Sequence, residues 1–69
     1  MEKLKLMEAM QKAVRESQTE RSPRYILQIV GGGYLVADDE FLQKNPAGFY
    51  WPGNQNLTKY KVAYTTKLH

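Results

Sequence analysis

Apolar positions recur at helical spacing in the first third of the chain. Leu6, Met10, Ala13 and Ser17 are separated by four, three and four residues, and Met7 and Val14 flank them on the same face. Lys5, Glu8, Lys12, Arg15 and Glu16 occupy the remaining surface, and Glu8–Lys12 has the favourable i,i+4 order. No glycine or proline interrupts residues 2–21. Ser22-Pro23 ends the segment, because proline disfavours helical backbone at the residue before it. The pattern predicts one long helix.

From Arg24 the period changes. Tyr25-Ile26-Leu27-Gln28-Ile29-Val30 is β-branched and aromatic with apolar residues on both sides, which predicts a central strand. Gly31-Gly32-Gly33 follows, and Tyr34-Leu35-Val36-Ala37 resumes the strand character. Two such runs joined by glycines read as an antiparallel hairpin, since primed turns need positive φ and so short a link excludes a parallel crossover. Asp38-Asp39-Glu40 before Phe41-Leu42-Gln43-Lys44 predicts a short helical turn capped by aspartate, with carboxylates at its positive end. Asn45-Pro46-Ala47-Gly48 and Pro52-Gly53-Asn54 are breaks around Phe49-Tyr50-Trp51. Between Leu57 and Lys67 the alternation sets Tyr60, Val62, Tyr64 and Thr66 against Lys59, Lys61, Ala63, Thr65 and Lys67.

The expected fold is α+β: an N-terminal helix packed on a three-stranded antiparallel sheet, in two layers. A fourth, short strand around Phe49–Trp51 is compatible with the same pattern. Residues 1–69 make a single small domain, because chains this short hold only one thin core.

Composition narrows the chemistry more than it assigns it. Hydrophobic residues at 42% and aromatics at 12% are enough for a folded core. With no cysteine, disulfides and thiolate metal sites are excluded. The single histidine is His69, at the chain end, so no imidazole metal centre or histidine-based catalysis is expected. Neither a metal nor a cofactor is anticipated. No run approaches the ~18 apolar residues of a membrane span, and residues 1–8 lack the apolar stretch of a signal peptide. The cytoplasm is therefore the expected compartment, with no membrane partner.

Each candidate site has a plainer structural counterpart. A phosphate-binding glycine loop opens a helix, whereas Gly31–Gly33 leads into a strand and lacks the Gly-Lys-Ser/Thr pattern, so it reads as a hairpin turn. Asp38, Asp39 and Glu40 are too compact for a calcium loop and read as a helix cap. Phe49-Tyr50-Trp51 is the most informative segment. Neighbours on an extended chain face opposite sides, so three consecutive aromatics cannot all be buried. Either one ring faces a partner, or Phe49 and Trp51 fill the core and Tyr50 covers an edge. Tyr34, Tyr50 and Trp51 are the expected partner-contact residues, since Tyr and Trp are enriched at binding hot spots.

Two further surfaces stand as alternatives. Ten Lys/Arg against seven Asp/Glu give a net charge of +3, and Arg21, Arg24, Lys59, Lys61 and Lys67 are the residues a phosphate-binding face would use. Lysines on an edge strand equally serve to block edge-to-edge aggregation. Met1, Met7 and Met10 with Leu4, Leu6 and Val14 give the helix a wide apolar band. Whatever part of that band the sheet leaves uncovered favours a homodimer or another protein partner.

The functional expectation is a small non-enzymatic protein-interaction module that regulates or inhibits a larger partner, as chains of this kind from phages and mobile elements do. Nucleic-acid binding through the basic residues is the alternative reading, and a homodimeric structural subunit is the third.

Overall fold

The computed structural model describes residues 3–51, 53 and 55–66. Helix α1 spans Leu6–Glu20, strand β1 Tyr25–Ile29, strand β2 Tyr34–Ala37, helix α2 Asp39–Lys44 and strand β3 Tyr60–Thr65. The sheet is antiparallel in the order β2-β1-β3, so β1 is central, as its two-sided apolar pattern requires. The fold is α+β, with α1 packed on a three-stranded antiparallel sheet and a short second helix.

Local chemistry sets the ends of α1. The Glu8 carboxylate turns back to accept the Lys5 backbone N–H at 3.0 Å, satisfying one of the orphan donors of the first turn. Lys12 pairs with Glu16 at 3.9 Å instead of with Glu8. At the other end Arg21 adopts the left-handed conformation, φ 52°, which closes the helix one residue before Ser22-Pro23. In the β1–β2 hairpin the Ile29 N–H donates to Gly33 O and the Gly32 N–H to Ile29 O, both at 3.0 Å. Gly31, Gly32 and Gly33 all have positive φ, backbone that side-chain-bearing residues adopt only at a cost.

The helix buries most of the stripe its apolar spacing predicts, with Ala9 in the place expected for Met10. Ala9, Ala13 and Ser17 are buried, with Leu6 partly so. Met7, Met10 and Val14 are 68%, 43% and 48% exposed. Small residues let the helix axis approach closely, and the sheet supplies the bulk: Ile26 from β1, Tyr34 and Val36 from β2, with Leu4 at the margin. The methionines are thereby rotated onto a flank.

The larger part of the core lies on the opposite face. Leu27, Ile29, Leu35, Ala37 and Phe49 are buried there, with Tyr25, Phe41, Leu42, Trp51 and Tyr60 packed around them. Helix α2 and the aromatic segment cover this face. The anticipated fourth strand is reduced to one antiparallel bridge, Phe49 to Thr58. A second bridge, Leu4 to Tyr34, closes the outer edge of β2.

Strand β3 departs from simple alternation. Its register shifts between Ile26 and Leu27, so that Tyr64 lies opposite Ile26 and Val62 opposite Leu27, leaving Ala63 as the extra residue of a bulge. Tyr60 and Val62 therefore share the face of Leu27 and Ile29, while Tyr64 is moved to the α1 side. The single face that alternation assigns to Tyr60, Val62 and Tyr64, the better core candidate of the two, is therefore divided between the two sides of the sheet. Because α1 lies over β1 and β2, Tyr64 is 52% exposed.

Candidate partner-binding surface

The aromatic segment alternates in, out, in. Phe49 is 4% exposed and packs edge-on against Phe41 at 5.4 Å and against Trp51 at 5.2 Å between ring centroids. Tyr60 joins the same group, and its hydroxyl donates to Asn45 O at 2.6 Å, tying β3 to the end of α2. Tyr50 stands between the two inward rings with 64% of its surface exposed. The residue before it is fixed by the Phe49–Thr58 bridge, where Phe49 N–H donates to Thr58 O at 3.0 Å and Thr58 N–H to Phe49 O at 2.7 Å. Antiparallel pairing there sets Tyr50 across from Leu57, which is itself exposed.

Gly48 makes this arrangement feasible. Its φ is 137°, and a β-carbon at that position would lie 2.5 Å from Thr58 O and 3.0 Å from Leu57 Cγ. Only glycine lets the two segments approach this closely.

Trp51 is half-buried, and the Lys3 ammonium lies 5.7 Å from its ring centroid, a cation–π contact. The Trp51 indole Nε1 is buried with no acceptor among the described residues. Lys3 reaches this position by crossing Gly33, where an added β-carbon would meet Lys3 Cβ at 2.8 Å. Tyr34 is half-buried beside Ile26 and Val36, on the α1 face of the sheet. The three expected contact residues thus do not form one surface. Tyr50 projects outward, Trp51 packs inward against Phe49, and Tyr34 belongs to the other face.

The basic residues are likewise separated. Arg24 is drawn into the fold: its Nε lies 3.4 Å from Glu16, and its Nη1 donates to Ser22 Oγ and Pro23 O. Arg21 is exposed at the end of α1. Lys59 and Lys61 are exposed near the glycine hairpin, at the far end of β1, about 17 Å of strand away. Lys67 lies outside the described residues, as do Met1 of the apolar band and His69.

The acidic run behaves as a cap. Asp38 accepts the Phe41 N–H at 2.9 Å, Glu40 pairs with Lys44 at 2.7 Å, and Asp39 accepts the Tyr25 hydroxyl at 2.5 Å. That last hydrogen bond, with some burial and the nearby carboxylate charge, pushes the Tyr25 phenol above its ordinary pKa. Among the described residues no group of three His, Asp or Glu side chains is placed to hold a metal ion. No helix among them is long and apolar enough to cross a membrane.

The second exposed apolar surface runs along α1. Met7, Met10, Gln11, Val14, Arg15 and Gln18 line a shallow depression. A neighbouring groove between Met10, Val14, Ile26 and Tyr64 continues it to β3. The sequence pattern set Met10 on the apolar stripe of the helix and Tyr64 on one face with Tyr60 and Val62, and the structure exposes both. The alanine stripe at Ala9 and Ala13 was a visible signal for the first, whereas nothing in the alternation announces the bulge that exposes Tyr64.

Comparison with known proteins adds no family: no family model matches the chain, and no curated protein and no solved structure matches it.

Proposed function

We propose that the chain is a small, non-enzymatic, cytoplasmic protein-interaction module that engages a larger protein through the Tyr50 loop and so regulates or inhibits it. The observation that carries this reading is Tyr50 itself, a large amphipathic side chain 64% exposed and directly following the residue fixed by the Phe49–Thr58 bridge. An aromatic ring on a pre-ordered backbone loses little conformational freedom on binding, which is the condition hot-spot residues meet. Leu57, exposed across the bridge, extends the apolar contact.

The basic residues support a nucleic-acid reading less well. Arg24 is committed to Glu16, and Lys59 and Lys61 lie at the other end of the sheet. A phosphate-tracking surface needs several such charges in one stripe.

The test compares immobilised wild-type chain, Tyr50→Ala and the exposed control Gln43→Ala for specific retention of a protein from source-cell extract. A protein retained by wild type and the control but lost with Tyr50→Ala supports the reading. Retention unaffected by Tyr50→Ala overturns it. So does saturable oligonucleotide binding, followed by Trp51 fluorescence, that weakens steeply with salt.

A further inference from the structure

Helix α1 leaves one flank uncovered, where Met7, Met10, Gln11, Val14 and Gln18 line a depression with Arg15 at its edge. It is bordered on its outer side by Glu8 and Arg15, seven residues apart and so on one line of the helix surface. Each is exposed. Glu8 uses only Oε1 on the Lys5 N–H, and Arg15 has no ion pair within the chain among the described residues.

This arrangement is self-complementary in one orientation only. When two copies of a helix pack antiparallel about a two-fold axis, positions seven apart on one line exchange places across the interface. Glu8 of each copy then faces Arg15 of the other, and both charges on the rim are matched twice. The axis falls near the middle of the helix, setting Val14 against Gln11 and Met7 against Gln18 of the second copy. A parallel pair would instead put the Glu8–Arg15 line of each copy against the Met10–Ser17 line of the other, leaving both charges unmatched.

We propose that the exposed flank of α1 is a homodimer interface, occupied by α1 of a second copy packed antiparallel, with Tyr64 at its margin. The fold supplies a reason for such a partner. Leu27 is the largest fully buried side chain, and chains this short commonly supplement a thin core by association. Fifteen helical residues give a seam about 22 Å long. With Tyr64 and the adjoining groove it buries several hundred Å² per copy, the lower range of specific interfaces. A micromolar dimer is the expected result. The dimer is independent of the Tyr50 reading, since that loop packs on the other face of the sheet.

The experiment is sedimentation equilibrium of the full chain from low micromolar to near-millimolar concentration, with circular dichroism to verify folding. Wild type is expected to pass from monomer to dimer. Val14→Lys, at an exposed position, should remain monomeric with an unchanged spectrum. Glu8→Lys and Arg15→Glu should each weaken the dimer about tenfold, because each places two like-charge contacts on the rim. An equimolar mixture of those two variants should recover wild-type affinity as a heterodimer, every rim pair being matched again. Arg15→Lys, which keeps the charge, should dimerise normally, and the contrast between it and Arg15→Glu carries the test if loss of the Glu8 cap unfolds Glu8→Lys. A wild-type chain monomeric throughout overturns the proposal. A dimer insensitive to Val14→Lys, as pairing through the β3 edge would give, overturns it too. Failure of two folded single variants to rescue each other rules out the antiparallel arrangement.

Discussion

Replacing Gly48 with alanine tests whether the Tyr50 loop is held by the close approach of two backbones. The new methyl carbon would lie 2.5 Å from Thr58 O and 3.2 Å from Thr58 C, distances that require the segments to part. Parting them breaks two hydrogen bonds, Phe49 N–H to Thr58 O and Thr58 N–H to Phe49 O, each worth ~0.5–1.5 kcal/mol net. Holding alanine at φ 137° adds ~1–3 kcal/mol of backbone strain if the geometry persists. The expected loss is roughly 2–6 kcal/mol, and a domain of this length is stable by only ~3–10 kcal/mol. Gly31→Ala is the internal control: φ is 101° but nothing lies within 4 Å of the added carbon, so only the strain applies. Urea titrations read by far-UV circular dichroism and by the single tryptophan, Trp51, report the sheet and the aromatic segment separately. If Gly48→Ala costs no more than Gly31→Ala, the steric argument for the loop is wrong.

Two other perturbations probe the contacts that frame the sheet. Ser17→Ala removes a buried hydroxyl that donates to Ser22 O and shares a hydrogen bond with Thr66 Oγ1, both at 2.8 Å. It should lower stability by ~1–3 kcal/mol in the same urea titration, and a neutral result would mean that water replaces the lost contacts. Tyr25 has a raised pKa in the fold, so its contribution is fully present below the unfolded value near 10 and is lost as pH rises through the folded one. In a phenolate absorbance titration Tyr25 should ionise later than an unperturbed phenol, and Asp39→Asn should bring its transition down; an unchanged titration refutes the assignment.

The elements were legible because their signals are local. Three glycines between β-branched runs specify a hairpin, and Asp38 three residues before Phe41 specifies a capped turn. The two features that decide the surface are not local. Which side of α1 is buried depends on how closely the helix approaches β1 and β2, and Ala9 and Ala13 win over Met10 because small side chains permit that approach. The bulge at Ala63 arises from pairing β3 with β1 while Thr66 Oγ1 accepts the Arg24 N–H at 2.8 Å and Lys59 O accepts the Val30 N–H at 2.9 Å. Fixed at both ends, the strand absorbs its extra residue in the middle, and the tyrosine stripe divides between the two faces.

That division explains why so short a chain leaves two apolar surfaces outward. A three-stranded sheet has two faces, and the described residues hold one long helix to cover them. The α1 face is closed with alanines over Ile26, which leaves the larger apolar residues of the helix on its flank. The other face is closed by aromatic rings from a loop, and their alternation turns Tyr50 outward as Phe49 and Trp51 turn in. The two exposed surfaces are therefore by-products of separate packing solutions on opposite sides of the sheet, and nothing couples them sterically. If the flank of α1 is satisfied by a second copy, each assembly carries two Tyr50 loops. A partner with two matching sites would then be bound far more tightly than by either loop alone, through effective concentration and with no new contact. The signature is specific: Val14→Lys should weaken capture of such a partner while leaving Tyr50, its loop and the monomer fold intact.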